Sequence, residues 1–227
     1  VKSGKIDESV IDERIERILT MMERIKLGDK TRNKGCTNTK EHQQTIQQIA
    51  EEGIVLLKND TAHLPLFKET KKILVLGDNA KRTHAAGGGS AEIKALYDIS
   101  PLLGMRMVLG GDAQIDWLPG YYVDNEKHVA GEVDWQAESL DVDYTTDRGK
   151  EQFDKEIRPI REKYLKEALD VCSSYDEVIF IGGLNHAYDV EGFDRPDMTL
   201  PYGQNEVIEA LTEKCKNLTV VLINAMD

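Results

Sequence analysis

Apolar residues recur along this chain with two different periods, and their alternation predicts the architecture. Between residues 7 and 28, Ile11, Ile15, Ile18, Met22 and Ile25 return every three or four positions with Glu and Arg between them. That spacing puts one apolar stripe on an amphipathic helix. Asp7 suits its N-cap and Gly28 its stop. The polar stretch from Asp29 to Lys40 reads as a linker. A second helix is expected from about Lys40 to Gly53, with Ile46, Ile49 and Ala50 inward. Ile54–Leu57 either extends it or forms a short buried strand, and periodicity does not separate the two.

Three later runs, Ile73–Leu76, Val178–Ile181 and Val220–Ile223, are continuously apolar and rich in β-branched residues. Unbroken runs of this kind mark strands buried on both faces of a parallel sheet. Gln114–Leu118 is a weaker fourth candidate. Helical stripes lie between them: the segment Pro101–Leu109, then Ile157, Ile160, Tyr164, Ala168 and Val171, then Val207, Ile208, Leu211 and Cys215. Strand alternating with helix gives βαβ units, hence the α/β class: a three-layer sandwich around a mostly parallel, flavodoxin-like sheet. Residues from about 121 to 156 are polar and acidic and are expected to form a surface insertion, with Trp135 and Tyr144 packing it.

Charge and composition narrow the function classes. The net charge is −12 and the pI about 5.0, which argues against binding nucleic acid by neutralising its phosphates. Hydrophobic residues make up 40% of the 227, enough to form a core. Cys36, Cys172 and Cys215 lack metal-ligand spacing; the last two fall on helical stripes and read as small core residues, so neither a metal nor a disulfide framework is expected. No apolar run is long enough to span a membrane, and no signal peptide opens the sequence. The sequons at Asn59 and Asn217 are too common by chance to carry weight.

Two segments carry chemistry. The first, Gly77 to Ala80 through Gly87-Gly-Gly-Ser-Ala91, follows the first clear strand. Its glycines permit close approach of backbone to a ligand. Their spacing fits neither dinucleotide nor phosphate-loop fingerprints, so no nucleotide cofactor is expected, and a plain connection is the bland alternative. The second runs from Gly182 to Arg195 after Val178–Ile181, and gathers Asn185, His186, Asp189, Glu191, Asp194 and Arg195. It is about three times the usual length of a strand-to-helix loop. In a parallel sheet both loops leave the same edge, where ligands of open α/β sheets bind. Asp189, Glu191 and Asp194 are candidate acids or bases. Pairing of Asp194 with Arg195 would leave Glu191 the least committed carboxylate. Equally, Asp194 and Arg195 can simply lock the loop around a solvated Glu191.

At these residues the chain resembles glycoside hydrolase family 3, the β-glucosidase and β-xylosidase family. The resemblance rests on Glu52-Gly-Ile-Val-Leu-Leu-Lys-Asn59 with Leu64-Pro-Leu66, on Ile73 to Ala80, Gly87-Gly-Gly-Ser-Ala91, Ser100-Pro-Leu102 and Pro119-Gly120, and most specifically on Glu191-Gly-Phe-Asp-Arg195 followed by Met198, Leu200-Pro201 and Gln204. The stretch from Ile6 to Leu19 is similar to the end of the family's first domain, a TIM-like barrel. The resemblance implies residues 1–40 as tail helix and linker from that barrel, and 41–227 as the family's α/β sandwich, cut before it is complete. It further implies a retaining, exo-acting β-glycosidase that removes terminal β-D-glucosyl or β-D-xylosyl residues. Glu191 corresponds to the general acid/base, Gly89 and Ser90 to the loop lining the sugar subsites, and Asn185, His186 and Arg195 to residues that shape the acid/base loop or touch substrate. The family's nucleophilic aspartate belongs to a Ser-Asp-Trp-type motif of the barrel, which this sequence lacks, so the chain alone is expected to be inactive. The implied partners are a β-linked glycoside and the barrel domain, with no nucleic acid or membrane. The sequence fixes no compartment, and a periplasmic or secreted parent enzyme fits the resemblance. The alternative reading is a non-catalytic carbohydrate-binding or interdomain module.

Overall fold

The fold is that of a computed structural model, which describes residues 1–31, 34–66, 69–85, 93, 95–123, 151, 153–185, 188 and 197–224. The chain divides into two compact units, Val1–His63 and Leu64–Asp227.

The first unit holds two helices, α1 (Glu8–Arg24) and α2 (Lys40–Gly53). Local chemistry starts both. The Asp7 carboxylate accepts from the Ser9 N–H at 2.9 Å and the Thr39 hydroxyl from the His42 N–H at 3.2 Å, each satisfying a donor that a helix start leaves without an intrahelical partner. Neither helix has a buried residue. Ile46 and Ile49, expected inward, are exposed, and Ile54–Leu57 forms neither helix nor strand. Capping and i,i+4 amide–carboxylate pairs such as Gln47 with Glu51 favour the helix locally, whereas burying its stripe needs a second surface.

The second unit is a parallel four-stranded sheet with helices on both faces. Its strands are β1 (Lys72–Leu76), β2 (Gln114–Leu118), β3 (Glu177–Gly183) and β4 (Leu218–Ile223), in the order β2-β1-β3-β4. α3 (Pro101–Leu109) connects β1 to β2, α4 (Arg158–Cys172) precedes β3, and α5 (Gln204–Lys214) connects β3 to β4. Alternation along the strands divides the core in two. Leu74, Leu76, Val178 and Phe180 pack with Ala168 and Cys172 of α4 and with Val207 and Leu211 of α5. Ile73, Val75, Ile179 and Ile181 face the other way, against Leu102, Met105 and Leu109 of α3. This is the three-layer α/β arrangement expected from the two apolar periods. After Pro119 and Gly120 the chain turns back into the core: Tyr121 and Val123 are buried, although polarity from residue 121 onward reads as surface. Cys172 is buried and Cys215 packs against the same cluster, as small core residues do.

Candidate functional site

β1 and β3 are adjacent and parallel, with Leu74 opposite Val178 and Leu76 opposite Phe180. Their carboxyl ends therefore meet at one edge, and the loops that follow them leave side by side. In doubly wound sheets of this strand order, ligands bind outside the gap between β1 and β3.

Glycines let the strand ends close on each other. Gly77 has φ +108°, and a Cβ there would lie 2.0 Å from the Ile181 carbonyl oxygen. Its N–H donates to the Pro119 carbonyl at 3.1 Å, and its own carbonyl accepts from Trp117 Nε1 at 2.9 Å. Gly183 has φ +103°, with the Ile223 carbonyl oxygen 2.1 Å from where a Cβ would stand. Both positions combine a left-handed backbone with a neighbouring strand in the way of any side chain.

Two buried amides then fasten the end of β3. Asn79, in the 3₁₀ turn Asp78–Ala80, donates through Nδ2 to the carbonyls of Gly182 (2.9 Å) and Leu184 (2.8 Å). Gln204, the first residue of α5, accepts from the Gly183 N–H at 2.8 Å and donates to the Gly183 carbonyl at 2.8 Å. Both side chains are buried, so each amide does what a ladder partner would otherwise do for strand-end groups removed from water. The Asn79 amide thus links the turn after β1 to the end of β3.

Above the amides sits a group of aromatics. Tyr202 is buried with φ +64° and ψ +17°, a rare conformation for a bulky residue. Its ring stacks on Tyr121 (centroids 6.1 Å apart, 7° between planes) and meets Tyr188 edge-on at 5.3 Å. Its hydroxyl exchanges hydrogen bonds with Asn185: Nδ2 donates to the oxygen at 2.9 Å, and the hydroxyl lies 3.2 Å from Oδ1. Burial foremost, then the Asp78 carboxylate, pushes the Tyr121 hydroxyl up from its ordinary value, so Tyr121 stays a neutral phenol. Asp78 pairs with Arg82, and Lys81 Nζ stands 3.3 Å from the centre of the Trp117 ring, a cation–π contact.

Of the residues singled out from sequence, Asn185 is described: it is buried at the root of the long loop and engaged with Tyr202. Gly89, Ser90, His186, Glu191 and Arg195 lie outside the described residues, as do Asp189 and Asp194. Asn79 and Gln204 fall within the motifs that carry the family resemblance, but sequence reasoning gives them no role at the site, nor any to Tyr121 or Tyr202. Their signal is a polar or hydroxyl-bearing side chain next to a strand-end glycine or a helix start, and it is visible only once the strands are placed.

A sequence profile described as the glycosyl hydrolase family 3 C-terminal domain matches residues 54–227. The chain belongs to this family. It is 34% identical to a β-glucosidase of Bacteroides ovatus over 99% of its own length and 28% of that protein's. It is 31% identical to a β-xylosidase of Formosa agariphila over 94% of its length and 26% of that protein's. The fold superposes on the crystal structure of a family 3 β-glucosidase from Bifidobacterium adolescentis with a TM-score of 0.69 at 23% identity, covering 97% of this chain and 27% of that one. The chain therefore spans about a quarter of the length of these proteins, and its residues 54–227 correspond to the family's C-terminal domain.

Proposed function

We propose that this chain supplies the general acid/base of a retaining β-glycosidase, through Glu191, to an active site completed by a barrel domain that carries the nucleophile. The observation that supports this reading is the pairing of β1 with β3. It sends the chain segments that follow Leu76 and Gly183, with Gly87-Gly-Gly-Ser90 in one and Glu191-Gly-Phe-Asp-Arg195 in the other, away from a single edge of the sheet. Retention needs one carboxylate to attack the anomeric carbon and another to protonate the leaving oxygen, then deprotonate water, with the two about 5–5.5 Å apart. On this reading Gly89 and Ser90 border the sugar on the leaving-group side, His186 and Arg195 shape the acid/base loop, and Asn185 supports it from beneath. The substrates are terminal β-D-glucosyl or β-D-xylosyl groups. The chain alone, lacking the nucleophile, is inactive.

The test uses the full-length glycosidase that carries this segment. Glu191→Ala should lower turnover of alkyl and disaccharide β-glycosides by about 10²–10⁴-fold, the usual contribution of a general acid. Dinitrophenyl glycosides, whose leaving group needs no proton, should lose far less in glycosylation, and azide should restore deglycosylation. Equal loss on both substrate types, or none on either, would remove Glu191 from the role. Calorimetry of the 227-residue chain with glucose, xylose and cello-oligosaccharides separates this half-site from a self-sufficient carbohydrate-binding module, which would bind at millimolar concentration or better.

A further inference from the structure

We infer that Tyr202, through its hydrogen bonds to Asn185 and its ring contact with Tyr188, is a positioning residue for the general acid/base, with Gln204 as its second anchor. The inference rests on the assignment of Glu191 made above.

Glu191 lies in sequence between two points that the fold fastens to each other. On one side are Gly183 and Asn185, at the end of β3; on the other are Tyr202 and Gln204, at the start of α5. Gln204 grips both backbone groups of Gly183 at 2.8 Å, and Tyr202 exchanges hydrogen bonds with the Asn185 amide at 2.9 and 3.2 Å. The ends of the loop are thus joined twice, by side chains rather than by a strand ladder. Tyr202 also reaches into the loop: its ring meets Tyr188 edge-on at 5.3 Å, three residues before Glu191.

The backbone of Tyr202 points the same way. An aromatic residue at φ +64° followed by Gly203 at φ +73° is a conformation the surroundings must impose. Relaxing it would draw the hydroxyl from Asn185 and the ring from between Tyr121 and Tyr188. The strain is therefore coupled to the loop's two attachments. Proton transfer to a glycosidic oxygen demands hydrogen-bond reach, and a displacement of about 1 Å at a reacting group can cost on the order of 10²-fold in rate. A carboxylate borne on a long loop meets that tolerance only if the loop's roots are fixed.

The test compares Tyr202→Phe, Asn185→Ala and Gln204→Glu with Glu191→Ala in the full-length glycosidase. Tyr202→Phe keeps the ring and removes the hydroxyl, Asn185→Ala breaks the same pair from the other side, and Gln204→Glu keeps the acceptor for the Gly183 N–H but loses the donor to its carbonyl. Each should lower kcat/KM, which reports glycosylation, by about tenfold on alkyl β-glycosides and less than about twofold on dinitrophenyl β-glycosides, because only the alkyl leaving group needs the proton. The basic limb of the kcat/KM profile on the alkyl substrate should move with it. Parallel losses on both substrates, or lowered thermal stability with unchanged kinetics, would overturn the inference and leave these residues as structural props. Should Tyr202→Phe not fold, Asn185→Ala and Gln204→Glu decide by the same selectivity. If Glu191→Ala itself shows no dependence on leaving group, the Glu191 assignment fails. If it does and the other three do not, only the positioning role fails.

Discussion

β3 and β4 are neighbours in one sheet and have nearly the same apolar pattern, yet they sit in different environments. Every residue of β3 from Glu177 to Gly183 is buried. In β4 the consecutive residues Val220, Val221 and Leu222 are 39%, 41% and 38% exposed. A continuous β-branched run records the capacity to be buried on both faces; whether it is buried depends on what lies on each side. β3 has β1 on one side, β4 on the other, α3 across one face and α4 and α5 across the opposite face. β4 is the edge of the described sheet. β3, flanked by strands on both sides, is also the strand whose end leads into the candidate loop, so the root of that loop at Gly183–Asn185 is held in the interior of the sheet.

This contrast can be broken most severely where β3 meets β4. At Gly183, with φ +103° and the Ile223 carbonyl and amide in the way, Gly183→Ala combines an unfavourable backbone with a clash against the adjoining strand. A loss of at least about 4 kcal/mol is expected, the range reserved for such special positions, read as a fall in the denaturation midpoint. A loss below about 1 kcal/mol would mean that β4 yields to let the methyl in, and that the edge is softer than its ladder implies.

Phe180→Ala tests the interior of β3 itself. Phe180 is fully buried between α4 and α5 and lies 5.8 Å, centre to centre, from the Tyr121 ring. Removing it should cost about 3–5 kcal/mol, the usual range for a large aromatic that leaves a cavity. Val221→Ala, the counterpart on β4, removes a smaller and partly exposed side chain and should cost only about 0.5–1 kcal/mol. Equal costs at the two sites would mean that an unseen surface covers β4 in solution.

The same logic explains how much could be read from sequence. Ile73–Leu76, Val178–Ile181 and the stripes of α3, α4 and α5 announce strands and helices through their periods, and the sheet forms where they predict. Ile46 and Ile49 announce a helix equally well, but a stripe says nothing of whether another surface meets it, and these two remain exposed. Tyr121 went astray for the opposite reason: it opens an acidic stretch that reads as surface, while its ring closes the core over Phe180. At the candidate site, the length and chemistry of the loop after β3 were legible, and so was its place at a strand end. The latches were not, because Asn79 and Gln204 lie 103 and 21 residues from the backbone groups they hold. A side-chain amide that pairs with a distant strand leaves no local pattern.

The gentlest probe concerns the opposite end of β3. Just before the strand begins, the Asp176 carboxylate accepts from the N–H groups of Lys71 and Lys72 at 2.9 and 2.8 Å, while its carbonyl accepts from Asn217 Nδ2 at 2.9 Å. One residue thus ties β3 to the entry of β1 through its side chain and to the entry of β4 through its backbone. The N–H bonds, led by that from Lys71, hold the carboxyl below its ordinary value of 3.8. A carboxylate depressed in the folded state contributes stability above its unfolded pKa and loses that contribution as pH falls through the folded one. Asp176→Asn keeps an oxygen acceptor and removes the charge. It should therefore be slightly less stable than the native chain near neutral pH, by less than Val221→Ala, and the difference should vanish in acid. Val221→Ala carries no titratable group and should show the same deficit at both ends of the range. Urea midpoints across that range check the pair. An Asp176→Asn deficit that persists in acid would assign the contact to shape rather than charge, and would leave β1 and β4 held to β3 by the same neutral hydrogen bonding.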